Sequence, residues 1–205
     1  MFTEVLSKNA KEILAILGKS KILKKAYLAG GTGAALHLGH RVSVDLDFFT
    51  PEDFDPRLAA KEISNIGTFR LEQASKKTVL GLFRGIRFSL FYYPYPVLFP
   101  FVNFCGIKIL DLRDIGVMKI DAVATRGTKR DFIDLYLICT KSTLLKDLLL
   151  LYDKKFKKLA MNYVHIKKSL VYFVDAEGDE PPQMLKKVDW NRIKEFFEDE
   201  VKCLK

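Results

Sequence analysis

The chemistry-bearing residues of this chain begin with two aspartates. Val42-Ser43-Val44-Asp45-Leu46-Asp47-Phe48-Phe49 alternates polar and apolar positions strictly, which predicts a strand buried on one face and carrying Ser43, Asp45 and Asp47 on the other. Residues two apart on a strand point to the same side, so both carboxylates converge on divalent cations about 3.5–4 Å apart, the arrangement of two-metal phosphoryl chemistry. Oxygen ligands favour Mg²⁺ or Mn²⁺. Just upstream, the apolar run Ala26-Tyr27-Leu28-Ala29 enters Gly30-Gly31-Thr32-Gly33 and then Ala34-Ala35-Leu36-His37-Leu38, closed by Gly39. Strand, glycine turn and helix in that order make a phosphate cradle of backbone N–H groups and helix dipole. The competing reading of Asp-x-Asp, the wet face of a half-exposed strand, is less apt once the glycine turn, Arg41 and Ser43 stand beside it.

Two nucleotide-binding fingerprints fail. Leu36 stands where a G-x-G-x-x-G motif needs its third glycine, and Ile13 stands where a P-loop ending at Gly18-Lys19-Ser20 needs its first.

A second constellation runs from Met118 to Tyr136, where Lys119, Asp121, Arg126, Lys129, Arg130, Asp131 and Asp134 are interleaved with apolar residues. Lys119 and Arg126 share a helical face, and Asp131 and Asp134 share one on the following helix. Two readings stand: a triphosphate-binding lysine beside carboxylates, or an ion network pinning two helices together. His37 and His40 lack a third metal ligand and read as a surface residue and a polar turn residue. The lysines Lys154, Lys155, Lys157, Lys158, Lys167 and Lys168 offer a phosphate-backbone patch for an RNA acceptor, against the alternative of solvated helix faces. Trp190 and Phe196-Phe197 read as core.

The elements that must position these groups follow from periodicity. Apolar spacing predicts a helix within Phe2–Leu23. A short helix is expected around Leu58–Ile66, and then an antiparallel meander of Phe69–Ala74, Thr78–Phe83 and Ile86–Tyr93. The uncharged window from Phe88 to Ile107 is long enough to span a membrane, but Pro94, Pro96 and Pro100 make it strand and loop. After a strand at Ile107–Leu110, Asp111 or Asp114 caps a helix through Ala124, and a second runs from about Lys129 to Cys139. Helices are expected over Leu144–Leu151, Ala160–Phe173 and Trp190–Leu204, with an acidic, proline-containing loop from Asp175 to Pro182. The chain thus divides near Asp111 into an α/β core, residues 1–110, and a helical region, residues 111–205.

Composition bounds the rest. With 49% hydrophobic and 29% charged residues over 205 positions, the chain is an ordinary globular protein, neither disordered nor collagen-like. A formal charge of +9 favours polyanionic partners. Three scattered cysteines without a C-x-x-C pair, and an N-terminus without a signal-peptide pattern, predict a reducing cytoplasmic setting without a structural zinc or membrane.

Taken in order, Gly30-Gly31-Thr32, His40-Arg41-x-Ser43-x-Asp45-x-Asp47-Phe48-Phe49, Met118-Lys119 through Arg126, and Lys129-Arg130-Asp131-Phe132-Ile133-Asp134-Leu135 resemble the AbiEii/AbiGii-type nucleotidyltransferases, toxin components of type IV toxin–antitoxin systems. Ser169–Glu177 and Val188-Asp189-Trp190 resemble the C-terminal region of one branch of that family. The resemblance implies an α+β fold: a DNA polymerase β-like core with a mixed sheet, followed by a helical C-terminal region. It implies a nucleoside triphosphate donor, Mg²⁺ or Mn²⁺, transfer of a nucleoside monophosphate to a hydroxyl of tRNA or protein, and a cognate antitoxin. By the same resemblance Gly30, Gly31 and Thr32 seat the triphosphate, with Arg41, Ser43 and Arg126 beside them. Asp45 and Asp47 hold metal, Lys119 contacts phosphate or activates the acceptor, and Asp131 acts as the later acidic residue with Asp134 in support. The family's sites usually draw a third carboxylate from a neighbouring strand, and the strand placed for it here, Gly85–Tyr93, offers Ser89. The alternative that Ser89 raises is a nucleotide-binding or antitoxin-binding module of the same fold with little chemistry.

Overall fold

The computed structural model describes residues 1–204, the side chain of Ala160 excepted. Residue 205 of the expected helical region lies outside them. Where one N-terminal helix was expected, a 3₁₀ turn (Thr3–Val5) precedes α1 (Lys8–Leu17), and another (Ile22–Lys25) follows it. The reason is Ser7, whose side chain accepts from the Ala10 N–H and starts a new helix. Strand β1 (Tyr27–Leu28) leads into α2 (Gly30–Leu38), so the glycines form the helix's own first turn instead of a turn before it. Gly30, at φ +61°, reverses the chain within one residue, a conformation that side-chain-bearing residues adopt at a cost.

Strand β2 (Leu46–Thr50) is shorter than the alternation predicts. Among the described residues, 42–45 pair with no strand. Their backbone bonds go to distant segments instead, from Val42 N–H to the Gln183 carbonyl and from Ser43 N–H to the Val5 carbonyl. Helix α3 (Pro56–Ile66) starts on Asp55, which accepts from the Arg57 and Leu58 N–H groups, with Pro56 in the first turn. The expected meander is present as β3 (Phe69–Ser75), β4 (Thr78–Phe83) and β5 (Ile86–Tyr92). An unforeseen hairpin of β6 (Val102–Phe104) and β7 (Ile107–Ile109) turns on Cys105-Gly106, both at positive φ, as a two-residue hairpin loop requires.

Among the described residues six helices follow: α4 (Leu112–Thr125), capped by Asp111; α5 (Lys129–Lys141); α6 (Leu145–Phe156); α7 (Leu159–Leu170); α8 (Val174–Glu177), which overlaps the start of the segment expected as loop; and α9 (Trp190–Cys203). Among the described residues no helix is long and apolar enough to cross a membrane.

The seven strands form one mixed sheet in the order β3-β4-β5-β2-β1-β7-β6, with β2–β5 and β1–β7 parallel and the other neighbours antiparallel. Strand alternation splits its side chains between two cores. Leu28, Phe48, Phe88 and Ile109 pack with α1 and α3 on one face, whereas Tyr27 and Phe49 face the core built by α4 to α9. The expected α+β arrangement, a mixed sheet with helices behind it, is therefore realised, and Asp47, one residue from Phe48, is turned toward the helical side.

Candidate active site

The site forms where the start of α2, the front of β2 and the faces of α4 and α5 meet. Parallel register sets Asp47 beside Ser89 of β5, whose hydroxyl hydrogen-bonds the Asp47 carboxylate. The start of α2 closes on the same carboxylate: a Cβ on Gly30 would stand 3.1 Å from Asp47 Oδ2. Asp45 lies just ahead of β2, and its carbonyl accepts the Thr32 hydroxyl, which also sits 2.8 Å from Ser43 Oγ. A Cβ on Gly31 would meet Arg41 Nη2 at 2.4 Å, so the missing side chain is what lets the guanidinium lie against the helix start.

Behind this cradle lies a buried ion network. Asp134 accepts both Arg41 Nε and Nη2 at 2.8 Å, His40 Nε2 at 2.7 Å and Lys119 Nζ at 2.6 Å. Asp131 accepts Lys119 Nζ at 2.9 Å, Arg126 Nε at 2.7 Å and the Thr128 hydroxyl at 2.6 Å. Both aspartates are fully buried. Burial alone would raise their pKa values, but the Arg126 hydrogen bond and the Lys119 charge hold Asp131 well below the usual carboxylate range, and Lys119, Arg41 and His40 do the same for Asp134. The inter-helix ion network weighed as one reading of Met118–Tyr136 is thus present, and its cations also line the cleft. Three cations, Arg41, Lys119 and Arg126, face the two carboxylates of this network, so the network taken by itself carries one positive charge in excess, opposite Asp45 and Asp47 across the cleft.

Asp47 behaves oppositely. Burial, together with the charge of Asp45, raises its pKa above the usual range against the Ser89 hydrogen bond and the Lys119 and Arg126 charges. Two like charges crowded in this way are what a divalent cation relieves, and two carboxylates with substrate phosphate oxygens suit Mg²⁺ or Mn²⁺. Among the described residues no group of three or more His, Cys, Asp or Glu side chains is gathered as a metal cage.

The cleft has two lobes sharing Gly31, Asp47, Lys119 and Arg126: a polar recess of about 60 Å³ toward Thr32, Arg41, Ser43 and Asp45, and a larger bay of about 430 Å³ floored by Phe49, Phe91 and Tyr93. The structure therefore brings together every residue singled out for nucleotide or metal contact, with Asp131, Asp134 and Ser89 directly behind or beside them. Sequence reasoning missed two residues as site components. Arg130 is exposed, borders the recess and has no ion-pair partner among the described residues. Asp121 lines the bay and accepts the Tyr152 hydroxyl at 3.2 Å. Both were visible as charges in the dense segment, but spacing cannot tell which charges its own helices neutralise.

Other expectations need correction. His37, read as a surface residue, is half-buried and hydrogen-bonds the Leu110 carbonyl at 2.9 Å, and His40, read as a polar turn residue, is buried in the network against Asp134. Lys155 belongs to no surface patch. It is buried against Asp114, Nζ to Oδ1 2.8 Å, and donates to the Pro96 carbonyl, while Asp114 Oδ2 accepts the Leu98 and Phe99 N–H groups. Lys167 donates to the Leu204 carbonyl, leaving Lys154, Lys157, Lys158 and Lys168 exposed.

With that geometry in place, kinship is decisive. The profile of the nucleotidyl transferase AbiEii toxin family of type IV toxin–antitoxin systems matches residues 92–202, more than half of the 205-residue chain. The chain belongs to the AbiEii family. An uncharacterized protein of Aquifex aeolicus is 39% identical over 202 residues, spanning 96% of each chain. In fold the chain is similar to MenT4, a nucleotidyltransferase toxin of Mycobacterium tuberculosis (TM-score 0.62, 14% identity, 95% of this chain and 82% of that one). It is also similar to JHP933 of Helicobacter pylori (TM-score 0.55, 17% identity, 97% and 92%). The family match spans Lys119, Arg126, Asp131 and Asp134, whereas the Asp45/Asp47 half lies outside it and within the Aquifex alignment's near-complete span.

Proposed function

We propose that the protein is a Mg²⁺- or Mn²⁺-dependent nucleotidyltransferase that moves a nucleoside monophosphate from a nucleoside triphosphate to an acceptor hydroxyl. The observation that carries this reading is the shared cleft wall: Gly31, Asp47, Lys119 and Arg126 border both a polar recess and an apolar bay, which matches a ligand with a polyanionic and an aromatic end. In this reading Asp45 and Asp47 hold the metal, which when bound neutralises phosphate charge. Thr32, Ser43, Arg41 and the Gly30-Gly31 helix start receive the triphosphate, with Arg130 supplying a cation that no carboxylate already occupies.

Asp131 is a positioning residue. Its oxygens are held by Lys119, Arg126 and Thr128, and a carboxylate held below its usual range is a poor proton acceptor. The acceptor hydroxyl gives its proton to solvent water, its oxygen forms a bond to the α-phosphorus, the bond to the bridging oxygen breaks, and pyrophosphate leaves with that electron pair. Lys119 and Arg126, fixed from behind, meet the developing charge without reorganising. Donor chemistry of this kind and three unpaired cysteines suit the cytoplasm. The exposed Lys154, Lys157, Lys158 and Lys168 suit an RNA acceptor such as tRNA, with a protein hydroxyl as the other candidate and a cognate antitoxin as partner. We also place the boundary between the nucleotidyltransferase α/β core, 1–110, and the helical C-terminal domain, 111–205, near Asp111, with the cleft drawing residues from both.

One observation favours a second reading. Ser89 stands in register with Asp47, at the place open to a third carboxylate, which suits a module that binds nucleotide or antitoxin with little turnover. Transfer from each of the four α-labelled triphosphates into total RNA and into protein, wild type against Asp45→Ala, separates the two. Label in one fraction that vanishes in the variant supports transfer, and triphosphate binding without label supports the module.

A further inference from the structure

The bay beside the recess carries one charged side chain that the proposed chemistry does not use. Its floor is aromatic, from Phe49, Phe91 and Tyr93, with Phe49 and Phe91 centroids 5.4 Å apart and Phe49 and Tyr93 centroids 5.3 Å apart. Of the charged side chains lining it, Lys119 and Arg126 are drawn back onto Asp131, and Asp47 is bonded to Ser89. Asp121 is different: it pairs with no cation among the described residues, it is half-buried, and its only described side-chain partner is the Tyr152 hydroxyl on Oδ1. That contact orients the carboxylate, and among the described residues no side chain bonds Oδ2.

Resting on the nucleotide reading above, we infer that Asp121 is the specificity-determining residue of the site, selecting amino-bearing nucleobases over uracil. A base lying on the aromatic floor presents its edge to the bay wall, and an ionised carboxylate only accepts hydrogen bonds. Adenine, cytosine and guanine each offer an exocyclic amino group to it. Uracil offers one ring N–H flanked by two carbonyl oxygens, both of which a carboxylate repels. An imperfect match also leaves a partly desolvated charge without a partner, so rejection exceeds the loss of one neutral hydrogen bond.

Titration calorimetry with ATP, CTP, GTP, UTP and inorganic tripolyphosphate, all with Mg²⁺, tests this on wild type and on Asp121→Asn. Wild type is expected to bind at least one amino-bearing triphosphate about tenfold more tightly than UTP, the scale of one charge-assisted hydrogen bond. In Asp121→Asn, whose amide both donates and accepts, that ratio falls to within about threefold while tripolyphosphate affinity stays unchanged, which also reports an intact fold. Equal binding of all four by wild type, or undiminished discrimination by the variant, overturns the assignment of Asp121 and leaves the nucleotide reading standing. Failure of wild type to bind tripolyphosphate or any of the four overturns the nucleotide reading itself, and the inference with it.

Discussion

Asp134→Asn is the sharpest test of how the cleft is held. The substitution keeps the shape of the side chain and removes one charge from a group that is fully buried and accepts from His40, Arg41 and Lys119. Arg41 and Lys119 are themselves buried, and Lys119 keeps Asp131 whereas Arg41 keeps only the Val42 carbonyl among its described acceptors. Removing one side of a buried ion pair leaves an uncompensated charge and costs about 3–5 kcal/mol. Against a total stability of about 5–15 kcal/mol that is a large fraction, visible as a lower urea midpoint with an unchanged slope.

A pH signature accompanies it. Asp134 and Asp131 titrate below the usual carboxylate range when folded and near about 3.9 when unfolded, so the unfolded chain binds more protons as acid is added. Their contribution is therefore complete above about pH 4 and is lost as the pH falls through the folded values. Urea melts between pH 7 and pH 2.5 should show a steep acid limb in wild type and a shallower one in the variant. A loss under about 1 kcal/mol at pH 7, with parallel acid limbs, refutes the idea that Asp134 anchors the network.

Lys155→Met strands the Asp114 carboxylate, leaving only the Leu98 and Phe99 N–H groups on it, and should lower stability by about 3 kcal/mol by chemical denaturation. Faster hydrogen exchange at the amides of Val97, Leu98 and Phe99 should accompany it, and an unchanged midpoint would show the pair to be energetically idle. Gly31→Ala forces Arg41 off the helix start, where the new Cβ would meet Nη2 at 2.4 Å, so triphosphate affinity should fall about tenfold or more while secondary structure by circular dichroism is kept. Ser89→Asp places a third carboxylate in register with Asp47 and should tighten Mn²⁺ binding by about tenfold, read by paramagnetic broadening; unchanged affinity would mean that position 89 does not reach the metal. Arg130→Ala should weaken tripolyphosphate binding and flatten its salt dependence without moving the melting temperature, since the side chain is exposed and unpartnered among the described residues.

Much of this was legible locally. Runs rich in β-formers, parted by Lys76-Lys77 and Gly85, placed β3, β4 and β5 almost to the residue; β4 and β5 alternate in burial, whereas β3 is an edge strand with no fully buried residue. The Asp-x-Asp pair and the double glycine were visible for the same kind of reason: strand period 2 and a left-handed turn are properties of a few adjacent residues. The shortfall at β2 was not legible, since residues 41–45 bond instead to distant parts of the chain: Arg41 and Val42 to 183–184, Ser43 to Val5 and the Asp45 carbonyl to Thr32.

Local spacing by itself determined which residues are able to do chemistry and on which elements they ride. Only the tertiary structure decided which of their charges remain available. Lys119, Asp131 and Asp134 read from the sequence as catalytic and supporting groups, and Lys155 as a surface cation. In the fold, Lys119 is shared between two aspartates, Asp134 is gripped by His40 and Arg41 from more than 90 positions upstream, and Lys155 disappears against Asp114. The physical reason is that a buried charge must find a partner wherever the chain supplies one. Long-range packing brings those partners together, and the charges left over, Asp121 and Arg130, mark where the cleft can still bind something else.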